Sequence, residues 1–217
     1  MRYERYIDEK EKEILSNPTA QKILNASIDI FLENGYHAVT LRDIANQTNS
    51  NLGLIPYYFK SKENLANYVY KHIADSVKQQ IIDIDFSHLN AIEKIYISTI
   101  LSWHYLDKKE DFSRFFYEFY ESAGPAKSPS KEFTDMSYKI ISEHNLQVSM
   151  AENEIFFNAM MGSEWVLTLK RHKGELNISL EEIVNLLLSN YLYNIGLSDK
   201  LIAQTIKNSL DFLEGLK

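Results

Sequence analysis

TLRDIANQTNSNLGLIPYYFKSKENL, residues 40–65, decides how this chain reads. Thr40 is a good helix N-cap, and Leu41, Ile44 and Ala45 behind it form a short buried stripe. Asn49, Ser50 and Asn51 interrupt that helix. Asn51 can cap the next one, which the spacing predicts from Leu52 to about Phe59. Ser61 caps a third, with Asn64 three positions on. Two short helices joined by a tight turn, with a packing helix before them, form the helix-turn-helix geometry. The packing helix precedes at once. Asn17 caps it, Pro18 takes its first position, Ile23, Ser27, Ile30, Phe31 and Asn34 step at helical spacing, and Gly35 ends it.

Outward from this stretch the whole chain of 217 residues reads as helix. Leu65, Val69, Ile73 and Val77 recur every four residues, and Ile81 and Ile84 extend the stripe. Further helices are expected near 88–107, 110–123, 129–146, 152–172, 179–196 and 198–215, separated by turn residues or fresh caps. With 7 Gly and 4 Pro the chain is too poor in turn formers for a many-stranded sheet protein. The expected fold is all-α, with about nine or ten helices in three parts. These are a charged extension (1–16), a helix-turn-helix domain (17–66) and a larger helical domain (67–217).

The first fifteen residues are charged, with no apolar segment of a signal peptide, and no apolar run approaches membrane length, so a cytoplasmic protein is expected. The net charge of −7 argues against a generic polyanion binder. Only a local footprint has to be basic for DNA binding, however, and residues 17–72 carry a net +1 while the remainder carries −8. Asn49, Ser50 and Asn51 would lie where side chains reach base edges. Gly53 would let another surface approach the backbone, and Tyr57, Tyr58 and Lys62 can reach phosphates. The helix starts at Thr40 and Leu52 offer N–H groups to phosphate oxygens. In the extension, Arg2, Arg5, Lys10 and Lys12 could add contacts, against which stand Glu4, Asp8, Glu9, Glu11 and Glu13.

The chain resembles the TetR family of transcriptional regulators through the order and spacing of three segments. Phe31–Leu32–Glu33–Asn34–Gly35–Tyr36 comes first, then Thr40–Leu41–Arg42–Asp43–Ile44–Ala45, then Gly53 and Tyr57 through Leu65. The resemblance is dense over about residues 20–66. It implies that Thr40 and Arg42 anchor phosphates or bases, that Asn51, Leu52, Gly53 and Leu54 face the groove, and that Tyr57 and Lys62 hold the DNA backbone. Tyr58 and Phe59 lean toward structural roles. Two positions depart from the pattern. Pro56 replaces a customary aromatic and deletes one backbone donor, and Ser50 replaces a small apolar residue in the turn.

Such regulators read palindromic duplex as a homodimer, which the resemblance implies here. The expected interface lies on the helices near 152–172 and 179–196, with Phe156, Ala159, Met160, Ser163, Val166, Ile183, Leu187 and Tyr191 as candidates. The aromatic-rich stretch 103–120 exceeds what one core stripe needs. Trp103, His104, Tyr105, Phe116, Tyr117, Tyr120, Tyr138 and Trp165 are therefore candidates to line a pocket for a small, mostly apolar or aromatic effector. Effector binding would shift the long helix after Ser61 and change the spacing of the two reading helices, most simply releasing a repressor.

An enzyme is not expected. The six histidines His37, His72, His88, His104, His144 and His172 form no i, i+4 pair, and none has a Glu three residues before it. Without cysteine there is no thiol nucleophile and no Cys-ligated metal, and no nucleophile elbow or phosphate-cradling glycine loop occurs. No cofactor and no metal are expected. The alternative reading is a helical small-molecule-binding or scaffold protein whose helix-turn-helix is not used on specific DNA.

Overall fold

The structure, a computed structural model, describes residues 9–81, 84–124 and 131–216. Arg2, Glu4, Arg5 and Asp8 of the charged extension lie outside these residues. Eleven helices and no strand occur among the described residues: α1 (Glu9–Ser16), α2 (Pro18–Asn34), α3 (Leu41–Thr48), α4 (Leu54–Phe59), α5 (Lys62–Ile81), α6 (Ala91–Lys108), α7 (Glu110–Ala123), α8 (Lys131–Glu143), α9 (Met150–His172), α10 (Leu180–Asn194) and α11 (Asp199–Gly215). The count exceeds the expected nine or ten because the end of the charged extension is itself helical.

The chain divides into two compact units. One comprises the chain up to Ser76 together with Lys109–Ala123, and the other comprises Val77–Lys108 with Gly124 onward. The helix α5 therefore runs through the division. The aromatic helix α7 belongs to the first unit, although it lies in sequence between two segments of the second.

In the first unit, side chains of Ile23, Phe31, Ile44, Ile55, Phe59, Leu65, Val69 and Ile73 are fully buried and join α2 to α5 in one core. The ends of these helices are closed by side chains. Asn17 Oδ1 accepts from the Thr19 and Ala20 N–H groups. Thr40 and Asp43 form a reciprocal capping box, and Asn49 ends α3 in the left-handed conformation.

The helix α7 supplies the rest of that core. Phe115 packs against Phe31, Phe119 against Tyr36, and Phe116 against Tyr70. Two charged side chains of α7 then hold the end of α2. Arg114 donates to the Leu32 carbonyl at 2.9 Å and also to the Glu33 carbonyl. These carbonyls lie in the last turn of α2, where a cation is favoured. Glu118 accepts the His37 N–H at 2.7 Å. Gly35 between them has φ +82°, and a Cβ there would lie 2.8 Å from the Glu118 carboxylate. Glycine is required at this turn.

The second unit is built around α6 and α10, with Ile95, Ile97, Ile100, Ile183, Leu188 and Leu192 buried. Polar groups inside it are paired. Tyr191 Oη donates to Asn153 Oδ1 at 2.7 Å and lies 2.6 Å from Ser137 Oγ. Tyr96 Oη donates to Asn185 Oδ1, and burial pushes the Tyr96 phenol up to about 12. Glu93 accepts from the Asn90 N–H and from Asn208 Nδ2, both at 3.0 Å.

Arg114→Ala removes a charged donor from two carbonyls at the α2 end. It is expected to destabilise the fold by about 1.5–3 kcal/mol, measured as a lowered midpoint in urea unfolding. An unchanged midpoint would show that the α7 clamp carries no stability.

Candidate nucleic-acid interface

The site grows from the turn between α3 and α4. The chain leaves α3 at Asn49, whose φ of 48° reverses its direction. Asn51 Oδ1 then accepts the Gly53 N–H at 2.9 Å, an Asx turn that sets up the start of α4. This corrects the expected start at Leu52. The helix begins at Leu54, because the Asn51 side chain closes a turn on Gly53 before the helix. Pro56 therefore sits in the first turn of α4, where its missing N–H disrupts little.

With six residues, α4 is too short to hold itself. Ile55 and Phe59, both buried, pin it to the core. The opposite stripe, Leu52, Gly53, Pro56, Tyr57 and Lys60, is exposed. Tyr57 is 68% exposed and its ring rests edge-on against half-buried Tyr58 at 4.9 Å. Tyr58 thus props the outward ring.

Of the other candidate contact residues, Arg42, Asn49 and Asn51 are exposed, while Ser50 and Leu54 are half-buried. Thr40 is exposed but committed. Its hydroxyl donates to Asp43 Oδ2 at 2.6 Å and accepts from the Asp43 N–H at 3.2 Å. The hydrogen bonds from the Thr40 side chain and backbone hold the Asp43 carboxyl below the usual carboxylate range. Lys62 Nζ lies over the Tyr36 ring, 4.4 Å from its centre. Burial lowers the Lys62 ammonium from its ordinary range, and the Glu118 and Asp43 carboxylates oppose that shift. Lys62 is thus held within its own unit, half-buried, and Lys60 is the exposed cation beside Tyr57.

The second unit holds a cavity of about 120 Å³ and an exposed groove. Ile95, Phe133, Met160, Met161, Ile183 and Leu187 line the cavity, together with Thr99 and Glu164. Of the residues expected in a pocket, Trp103 stands nearest, donating from Nε1 to Glu164 Oε1 at 3.3 Å. His104 pairs with Glu181 at 2.8 Å, Tyr138 is exposed, and Tyr105 and Trp165 are half-buried. Phe116, Tyr117 and Tyr120 are on α7 in the other unit, where the stripe packs on α2 and α5.

The residues expected at a dimer face also separate. Ala159, Ser163 and Val166 line the exposed groove with Gly162, Leu186 and Asn190. Exposed Ile155 and Tyr193 lie on the same two helices, α9 and α10. Ile183, Leu187 and Tyr191 are buried within the chain, Leu187 also edging the groove, Phe156 is half-buried, and Met160 faces the cavity. Among the described residues no group of three histidines or carboxylates could hold a metal, and no helix is long and apolar enough to cross a membrane.

Residues 23–69 match the family model for bacterial regulatory proteins of the tetR family. These residues form an N-terminal DNA-binding domain of the tetR type. The chain is 26% identical over 140 residues to the HTH-type transcriptional regulator QacR of Staphylococcus aureus (strain Mu50 / ATCC 700699), covering 62% of this chain and 74% of that protein. It is 32% identical over 60 residues to the HTH-type transcriptional regulator HbdR of Aromatoleum sp. (strain CIB), covering 28% of this chain and 26% of that protein. Its fold is similar to that of a TetR transcriptional regulator from Rhodococcus sp. RHA1, with a TM-score of 0.54 at 13% identity, over 82% of this chain and 95% of that one. The matched segment spans α3 and α4, the helix-turn-helix of a TetR-type DNA-binding transcriptional regulator.

Gly53 is the position that the chain itself does not explain. Its φ is −64°, an ordinary helical value, and an added Cβ would meet only Asn51 Oδ1, at 3.4 Å. Gly53→Ala should therefore leave the thermal midpoint unchanged or raise it, while weakening duplex binding at least tenfold, about 1.4 kcal/mol. Paired melting and gel-shift titrations check this. A variant that binds as well as the parent would remove Gly53 from the interface.

Proposed function

We propose that this chain is a TetR-family regulator, a cytoplasmic, non-catalytic repressor. It binds a two-fold-symmetric operator as a homodimer and is released by a small, mostly apolar effector. The observation that carries the reading is α4: its inner face is pinned by Ile55 and Phe59, and its outer stripe is presented without an intramolecular partner surface. Arg42, Asn49 and Tyr57 surround that stripe and are exposed. Arg42 serves phosphate or base, Asn49 a base edge, and Tyr57 with Lys60 the backbone.

A single helix-turn-helix reads one half-site, so a symmetric operator needs two copies with reading helices about 34–36 Å apart. The exposed faces of α9 and α10 support the pairing. Gly162 and Ala159 permit close helix approach, and Ile155, Val166 and Leu186 supply apolar surface. The cavity between α6, α9 and α10 supports an apolar effector, since it is walled by Ile, Met, Phe and Leu side chains with two polar groups. For release, the effector must bind the DNA-incompetent arrangement more tightly. A tenfold to hundredfold loss of operator affinity needs about 1.4–2.8 kcal/mol of such coupling.

Gel-shift titration of the full chain against the duplex upstream of its own gene tests the reading. Specific binding should be retained by the parent and lost in Arg42→Ala and Tyr57→Ala, with circular dichroism unchanged. Weak, salt-sensitive binding to any duplex would instead mark a scaffold that does not use its helix-turn-helix. Ala159→Arg should yield a monomer by light scattering and lower operator affinity at least tenfold. A dimeric variant with full affinity would place the interface elsewhere.

A further inference from the structure

Between Arg42 and Lys60 the reading surface contains no cation. From Asp43 to Phe59 the sequence has no Lys, Arg or His. Guanine presents two acceptors in the major groove, N7 and O6, and its commonest reader is a bidentate Arg or Lys. Here that reader is missing from α3 beyond Arg42, from the turn and from α4. Adenine is commonly read by an Asn or Gln that donates to N7 and accepts from N6 at once. Asn51 is less free for this, because its Oδ1 already accepts the Gly53 N–H at 2.9 Å, which uses one of its two lone pairs and holds the amide against the turn.

What remains foremost on the outer stripe is apolar. Leu52 is 40% exposed and Pro56 is exposed, one helical turn apart on the face opposite Ile55 and Phe59. Neither supports the core, and neither offers a side-chain hydrogen bond. Between them Gly53 leaves the backbone uncovered, in a conformation that any residue could adopt. A small, protruding apolar group set close against the backbone fits this surface. In a major groove that group is the C5 methyl of thymine, the one apolar feature among the base edges.

We propose that the chain selects T·A pairs in its half-site through their C5 methyl groups, with Leu52 and Pro56 as the specificity-determining contacts and Gly53 as the clearance that lets the methyl-bearing edge approach. The inference rests on the operator reading above and adds the class of base pair. The amides of Asn46, Gln47 and Asn49, all exposed, hydrogen-bond around that contact, and Arg42 lies at the phosphate side.

The test starts from selection of a randomised duplex library by the full-length protein. The best duplex is then resynthesised with each thymine replaced, one at a time, by deoxyuridine, which keeps the base pair and the O4 acceptor but lacks the methyl. At one or two positions per half-site this should weaken binding by about fourfold, the worth of one buried methyl-sized group. At the same positions Leu52→Ala should bind the thymine and uracil duplexes alike. Uniform tolerance of uracil by the parent protein overturns the proposal and leaves operator binding standing. A consensus whose invariant positions are G·C pairs does the same. A library that yields no enriched sequence overturns both the proposal and the operator reading. The uracil series on the parent protein decides the matter even if the Leu52 variant fails to fold.

Discussion

Two side chains hold the candidate DNA-reading surface of this protein in place. A six-residue helix forms too few backbone hydrogen bonds to persist by itself, so α4 exists because Ile55 and Phe59 are buried in the core. Their burial fixes the rotation of the helix about its own axis. That rotation puts Leu52, Gly53, Pro56 and Tyr57 outward together. This outward surface is thus the by-product of a packing decision made on the opposite face. It is delivered rigidly, because the turn before it is closed by Asn49 and Asn51 rather than left to thermal choice.

The same logic extends to α7. Its aromatic side chains fill the space beside α2, and its Arg114 and Glu118 seize the end of α2 and the turn beyond it. The chain reaches α7 directly from α6 through Lys109 and leaves it toward α8. A segment of the first unit is therefore tethered at both ends to the second. Together with α5, which runs through the division, this gives the chain three covalent connections between the units. An effector that strains the second unit has those connections available to it.

Legibility in the sequence followed the range of the interaction. Caps are local, and Asn17, Thr40 and Ser61 act on groups two or three residues away. The stripes of α2 and α5 were equally legible, since each has one apolar face. The α7 aromatics were visible as an excess, but their partner was not. Phe115 and Phe119 would suit any apolar surface, and only the fold sets them against Phe31 and Tyr36. The helices α9 and α10 defeated periodicity for another reason. Each carries apolar residues on both sides: Phe157, Ile183 and Leu188 turn inward, while Ile155, Val166 and Leu186 turn outward. A stripe that wraps a helix does not say which half meets its own chain. The start of α4 slipped by two residues because an Asx turn and an N-cap use the same Asn side chain.

The scarcity of cations around α4 shapes how such a protein would find its target. Arg42 and Lys60 flank a stretch without positive charge, and Lys62 is folded back over Tyr36. Few counterions would be displaced from a duplex of arbitrary sequence, and that displacement supplies most of the grip on random DNA. Chromosomal DNA in general would thus be a poor reservoir. The protein would search largely by collisions from solution, with little sliding along the double helix, and its dwell time would be set by shape and methyl complementarity more than by ionic strength.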